Sequence, residues 1–407
     1  MKKIGLFLFD ICFALQMVAQ EQNYFTNPVI RGDVPDPSVI RIEDTYYATG
    51  TSSEWAPFYP MFTSKDLVNW KQVGHVFTKQ PSWTSNSFWA PELFYHNNKV
   101  YCYYTARQKS TGISYIGVAT SDSPLHEFTD HGPIVEYGKE AIDAFIYDDN
   151  GQLYISWKAY GLDTRPIELL GCKLSADGLH LDGEPFTLLV DEKGIGMEGQ
   201  YHFKEGDYYY IVYAAHGCCG PSSDYDVYVA RARNYGGPYE KYSGNPILHG
   251  GEGDYKSCGH GTVVRTSDGR MFYMCHAYLK GDGFFIGRQP ILQEMEMTDD
   301  HWVRFKTGNL AIAEQPIPFV GTKQEPLSDF EDNFKGNQLK VDWTWNYPYS
   351  DIHAVLKKGK LFLSGTPKNN NKYGTALCLR PQSPQYSCET KVINTGKGLK
   401  GLTLYGE

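Results

Sequence analysis

Apolar and polar positions alternate in short runs along most of the chain, and five segments repeat one pattern. Each has a polar residue near its start, then an apolar strand, a tight turn and a Tyr-rich strand. They are "PDPSVIRIEDTYYATGT", "APELFYHNNKVYCYYTA", "IDAFIYDDNGQLYISWK", "MEGQYHFKEGDYYYIVYAA" and "GHGTVVRTSDGRMFYMCHA". The turns "ED", "NN", "DDNG", "EG" and "SDG" are hairpin chemistry, in which Gly or Asn supplies positive φ. No helical periodicity of any length competes with the period-two pattern. The leading polar residues are Asp36, Glu92, Asp143, Glu198 and His260, spaced 51 to 62 residues apart. That spacing holds about four short strands per unit and predicts an all-β, five-bladed β-propeller over residues 20–320.

In a propeller the innermost strands start around a common axis, so the five leading residues are expected to converge on one pocket. Asp36 lies between Pro35 and Pro37, whose rings fix φ at their own positions, and Pro37 drives Asp36 out of the right-handed helical region. The carboxylate is thereby fixed at a strand entry.

After "PFVGTKQEPLSDFEDNF" the pattern weakens, and "WTWNYP", "AVLKKGKLFLSG" and "ALCLRPQ" read as strands of a second all-β unit over 321–407. A full sandwich needs about a hundred residues or more, so this unit is expected to be a partial, truncated β-sandwich. The first residues, "MKKIGLFLFDICFALQMVA", read as a signal peptide with a cut after Ala19, which implies a secreted or periplasmic protein. Asp10 interrupts the apolar stretch, and nothing later reads as a membrane span.

Composition narrows the partners. A net charge of -9 argues against nucleic acid, whose phosphates call for a basic surface. Aromatics make up 15% of the chain, with 31 tyrosines, which suits both β-strands and surfaces that stack on sugar rings. Nine cysteines lack the short regular spacing of a disulfide scaffold or zinc site. The adjacent Cys218 and Cys219 leave two readings open, a vicinal disulfide or a pair of reduced thiols.

Several carboxylates on one axis suit glycoside hydrolysis, which needs one protonated acid and one ionised carboxylate. Asp36, on a polar approach, reads as the ionised base. Glu198 in "GIGMEGQYHF" lies among Gly, Ile and Met, and desolvation with a nearby like charge is expected to raise its pKa, as an acid requires. Asp143 in "AIDAFIY" is placed to hold Glu198 and tune its proton. Each alone also reads as a structural carboxylate.

The ordered set "DVPDPS", "FWAPELF", "AIDAF" and "MEGQY" resembles glycoside hydrolase family 43 over roughly residues 27–319. The resemblance implies a five-bladed propeller that hydrolyses arabinosides and xylosides with inversion. It implies Asp36 as general base, Glu198 as general acid and Asp143 as pKa modulator. The expected activity is that of an exo-acting β-xylosidase or α-L-arabinofuranosidase on xylan, arabinoxylan or arabinan, the alternatives being an endo-arabinanase or a non-catalytic sugar-binding propeller. The segment "GHGTVV" resembles one that places a histidine on the axis, so His260 is a candidate to hold calcium through water, to bind substrate, or to sit satisfied in a polar core. Arg288 in "FFIGRQPI" matches an arginine that contacts sugar hydroxyls, and also fits a plain salt bridge. Trp89 and Phe145 are candidates for the sugar subsite or for the core, and Trp55 for the pocket wall. The resemblance also places the Cys218–Cys219 loop near the pocket rim. No cofactor is required by this chemistry, calcium being the one candidate.

Overall fold

A computed structural model describes residues 23–160, 166–371, 374–393, 396 and 398–404. The expected signal peptide, residues 1–19, lies outside the described residues.

Five four-stranded antiparallel sheets follow one another in sequence order. Their innermost strands are Ser38–Ile42, Trp89–His96, Ala141–Asp149, Glu198–Glu205 and Tyr255–Arg265, and each packs against its two neighbours in a closed ring. We number the blades 1 to 5 in that order. The hairpins form where Gly and Asn relieve the turn: Asn97 and Asn98 both have positive φ (50° and 58°), as do Asn150 and Gly151. Ring closure is made by the N-terminal strand Tyr24–Thr26, which pairs with Glu314–Pro316. Asn27 completes it by exchanging side-chain hydrogen bonds with the backbone of Leu292 in blade 5.

The period-two pattern gives every blade two apolar faces, and each face is buried against the next blade. Five cores result, one at each interface. Examples are Phe58 and Val76 against Leu93 and Cys102 between blades 1 and 2, and Tyr101 and Ile116 against Ile146 and Trp157 between blades 2 and 3. Between blades 5 and 1, Phe272 and Leu292 pack with Val39 and Phe62. A rigid ring of this kind is what lets side chains from different blades hold fixed positions at the axis.

The sequence pattern suggested that the five leading residues are equivalent in backbone position, and they are not. The repeating feature is one left-handed residue at each strand entry: Asp36 (φ 55°), Ala90 (40°), Asp143 (59°), Gly199 (60°) and His260 (45°). Relative to this frame Glu92 lies two residues deeper and Glu198 one residue earlier. Asp36 is indeed outside the right-handed helical region, in the left-handed one. A non-glycine residue held this way costs on the order of 1 kcal/mol and persists only where its surroundings over-determine it. Here they do. Thr51 Oγ1 accepts from Ala90 N (2.7 Å), Thr105 Oγ1 from Asp143 N (3.2 Å), Asp143 Oδ2 from Gly199 N (3.1 Å), and His276 Nδ1 from Asp36 N (3.1 Å).

Among the described residues beyond 320, the strand pairings are a short strand, Trp345–Asn346, against Trp55–Ala56 of the propeller, and one hairpin, His353–Leu356 with Leu361–Ser364. Two packed sheets are not seen there. The segment lies along blade 1, where Tyr347 sets its ring edge-on to Phe58 (5.0 Å between centroids) and Arg380 bonds Gln72 Oε1 (2.7 Å). Its apolar side chains largely face outward, including Phe362, Leu399 and Leu404.

Candidate active site

The structure brings Asp36, Asp143, Glu198, His260 and Arg288 together at one end of the axis. His260 stands between two blades' carboxylates, its Nδ1 3.5 Å from Asp36 Oδ1 and 3.7 Å from Asp143 Oδ2. Gly199 makes this possible, since a Cβ there would lie 2.5 Å from Cγ of His260. Gly259 does the same for Tyr225, whose ring would collide with a side chain at that position. The glycines of "MEGQY" and "GHGT" are thus clearance for the site.

Asp36 is buried among donors. Thr51 donates to Oδ2 at 2.5 Å, and Arg288 reaches Oδ1 at 3.5 Å. Arg288 is itself fixed by its backbone N–H, which donates to Asp33 (2.7 Å). Burial alone would push the Asp36 pKa up, but Arg288, His260 and His276 together outweigh it and hold the carboxyl well below its usual range. His276 Nδ1 is also 3.1 Å from Asp36 Oδ1. The amide and the carboxylate of Asp36 thus share one nitrogen of His276, whose own pKa burial pushes down to about 4.

Glu198 sits in a different setting. Lys158 Nζ is 2.5 Å from its Oε2, and the Tyr225 hydroxyl donates to its Oε1 at 2.8 Å. Burial raises its pKa, yet Lys158 and Tyr225 prevail and the net direction is down. The raised value expected for Glu198 is therefore corrected for the free site. Its apolar sequence neighbours said nothing of a lysine arriving from the adjacent blade. The raised group is Asp143, pushed up to about 6 by burial, with the negative charges of Glu198 and Asp36 adding to it against His260 and Lys158. Asp143 is held through its backbone as well, with Gln200 Nε2 donating to its carbonyl (2.5 Å).

The remaining candidates divide. Trp89 is half-buried beside Ala90, with the Arg107 guanidinium 5.9 Å from its ring, and so stands at the strand entry. Trp55 lies four residues past Thr51, in the strand that pairs with Trp345–Asn346. Phe145 is buried against Tyr201 (4.5 Å) and His202 (5.3 Å, stacked), farther along the innermost strand than Asp143. That is a core contact. Glu92 lies on the innermost strand of blade 2 near Ser38, and burial pushes its carboxyl up to about 8.

Sequence reasoning missed Thr51, Lys158, Tyr225 and His276. All four lie on or next to outer strands of the repeat. The one legible signal was a lone lysine inside the apolar strand "YISWKAY". Cys218 and Cys219 form a disulfide in the loop that ends on Tyr225, and Gly220 of that loop bonds the Tyr278 hydroxyl (3.1 Å).

Calcium takes six to eight oxygens at close range. Among the described residues no group of three or more His, Cys, Asp or Glu gathers in metal-holding geometry. The two oxygens nearest His260, Asp36 Oδ1 and Asp143 Oδ2, are already engaged with Arg288 and Gly199. An ion beside His260 would therefore be held through water.

Comparison with known sequences decides the family. The sequence profile described as Glycosyl hydrolases family 43 matches residues 25–303. The chain belongs to this family. It is therefore a glycoside hydrolase, and the matched span takes in the innermost strands of all five blades. A curated family 43 relative, "Xylan 1,3-beta-xylosidase" of Vibrio sp, is 28% identical over 93% of this chain and 76% of its own length. "Non-reducing end alpha-L-arabinofuranosidase BoGH43B" of Bacteroides ovatus is also 28% identical, over 90% of this chain and 68% of its own. Among solved structures, the family 43 protein BlXynB of Bacillus licheniformis superposes with a TM-score of 0.73 at 24% identity, covering 88% of this chain and 72% of that one, and shares the fold.

Proposed function

We propose that this family 43 hydrolase is an inverting exo-glycosidase that releases β-D-xylosyl or α-L-arabinofuranosyl units from xylan-, arabinoxylan- or arabinan-type material. The observation that carries the mechanism is the unequal treatment of its carboxylates around His260. Asp36, surrounded by cationic and hydroxyl donors, stays ionised and removes a proton from the attacking water. Glu198, on the other side of Asp143, delivers a proton to the glycosidic oxygen. Asp143 stores negative charge or a proton beside Glu198 and so sets when the acid is loaded. Asp36 and Glu198 come from different blades, 1 and 4, and carboxylates that face each other from separate blades suit the separation of about 6.5–9.5 Å that inversion through water needs. Arg288, with its guanidinium at Asp36, is positioned to bond a sugar hydroxyl there, and Trp89 and Trp55 to line the entry.

The names of the two relatives support the sugar class and exo-action. The reading also takes residues 321–407 as a β-sandwich-type unit appended to the propeller, and the protein as exported. The disulfide at Cys218–Cys219 supports an oxidising compartment. No helix among the described residues is long and apolar enough to cross a membrane. No metal enters the proposed step, so activity is expected to survive dialysis against EDTA; its loss, with recovery on adding calcium, would make His260 a water-mediated calcium residue.

The test is a paired assay with 4-nitrophenyl β-D-xylopyranoside and 4-nitrophenyl α-L-arabinofuranoside, followed by product analysis on xylo- and arabino-oligosaccharides. Release of monosaccharide alone, with its anomeric configuration opposite to that of the substrate in the first NMR spectra, is expected. Mixed oligosaccharides would mean an endo-enzyme, retained configuration would remove the single-displacement mechanism, and binding without release would mean a sugar-binding propeller.

A further inference from the structure

Lys158 sits where a lysine is costly. It lies in the second strand of blade 3, Gln152–Ala159, and its side chain is almost fully buried. Alternate residues of that strand, Ser156 and Lys158, both reach across to blade 4. Ser156 contacts His202 Nε2 (2.9 Å) and Lys158 contacts Glu198 Oε2 (2.5 Å). Ile155, Trp157 and Ala159 point the other way into apolar cores. An ammonium in such a place survives only if paired, and its counter-charge here is Glu198.

The pairing bears on the chemistry. Both oxygens of Glu198 are acceptors in the free site, one from Lys158 and one from Tyr225. An ammonium in contact with Oε2 favours the carboxylate over the acid. For Glu198 to carry a proton towards a glycosidic oxygen, that preference must be offset. The other charged groups facing Glu198 are His260 from blade 5 and Asp143 from the innermost strand of blade 3. Asp143 is the group that favours loading, since its negative charge opposes a second carboxylate.

We propose that Lys158 is the positioning residue that opposes Asp143, holding Glu198 in its ionised, aligned form until substrate enters and so fixing the upper pH limit of the hydrolysis. This rests on the reading of Glu198 as the acid. The proton balance is simple. Glu198 takes one proton from its surroundings or from Asp143, passes it to the leaving oxygen as the glycosidic bond breaks, and returns to the carboxylate that Lys158 recaptures. A lysine serving only the fold would leave the pH dependence where it is.

The experiment compares the pH profile of kcat/KM for the wild-type chain with Lys158→Met, Lys158→Gln and Lys158→Arg on xylobiose or an arabino-oligosaccharide, whichever the enzyme cleaves. Removing the positive charge is expected to move the falling, alkaline limb up by about one pH unit or more, because a cation in contact lowers a carboxyl pKa by about 1–3 units. The acidic side of the profile, over which Asp36 stays ionised, is unchanged, and Lys158→Arg keeps the wild-type alkaline limb. Turnover at the optimum is expected to fall about tenfold as Glu198 loses its alignment, with the inhibition constant for the product sugar little changed. Should Lys158→Met fail to fold, Lys158→Gln, which keeps a hydrogen-bond donor, carries the same expectation. An unmoved alkaline limb in a folded, charge-free variant overturns the proposal, as does an equal shift in Lys158→Arg. Glu198→Gln separates the two levels of inference. If that variant cleaves the unactivated substrate at the wild-type rate, the acid assignment itself falls; if it is disabled while the Lys158 variants keep the wild-type limb, only the role of Lys158 falls.

Discussion

Two corners of one site, a few side chains apart, hold their carboxylates by opposite means. Asp36 is surrounded on every side that the ring offers: a hydroxyl from blade 1, an arginine and two histidines from blade 5. Glu198 has one cation and one phenol, and a second carboxylate close by. The first arrangement over-determines an ionised state. The second is balanced, because Lys158 and Asp143 pull the same proton equilibrium in opposite directions. Tyr225 joins the corners, its hydroxyl on Glu198 and its ring stacked on His276 (5.5 Å), the residue that accepts from the Asp36 amide. A base that must never protonate and an acid that must alternate call for this difference.

The comparison breaks most visibly at Asp36. Asp36→Asn is expected to lower kcat/KM by about a thousandfold or more on activated and unactivated substrates alike, since the attacking water then lacks its base. Circular dichroism is expected to show the fold retained. A loss of less than about tenfold would show that another group takes the proton.

A smaller effect is expected at Asp143. Asp143→Asn removes the negative charge that helps Glu198 hold a proton, so turnover falls by about 10–100-fold. The alkaline limb of the profile moves to lower pH, opposite in sign to the Lys158 variants. A shift to higher pH would contradict the assigned roles.

Glu92 sharpens the comparison from outside the chemistry. Its carboxyl pKa is pushed up to about 8, against 4.5 for a free glutamate, so the folded state binds more protons between those values. Its contribution to stability is fully present below 4.5 and is lost as pH rises through 8. Glu92→Gln should therefore stabilise the fold at pH 8 to 9 and do little at pH 4. Glu92 is only partly shielded from solvent, so the gain is discounted to about 1–2 kcal/mol, read as a rise of a few degrees in Tm. No gain at alkaline pH would show that Glu92 ionises freely in water.

The propeller and its axis were legible because they repeat. Five turns and five strand entries in phase made Asp36, Asp143, Glu198 and His260 visible as a set. The phase was slightly misread, because charged residues were aligned where the fold aligns left-handed backbone, so Glu92 and Glu198 fell one or two residues out of frame. What surrounds the carboxylates was not legible. Lys158, Tyr225, Thr51 and His276 reach the axis from second and third strands, or just beyond them, and their role depends on which blade stands next to which. That is a long-range fact with no local signature. For the same reason the Glu198 pKa had the wrong sign: its neighbours in sequence are apolar, its neighbours in space are not. The unit after residue 320 lacks the repeat, and its apolar positions did not announce what they pack against.

The most direct test of the account is the leaving-group dependence of Glu198→Gln measured beside Asp36→Asn. An acid is needed in proportion to how poor the leaving group is. Glu198→Gln is expected to lose about 100–10,000-fold on xylobiose or an arabino-oligosaccharide but less than about tenfold on the preferred 4-nitrophenyl glycoside, while Asp36→Asn loses heavily on both. Equal losses for Glu198→Gln on the two substrates would contradict the assignment of Glu198 as the acid.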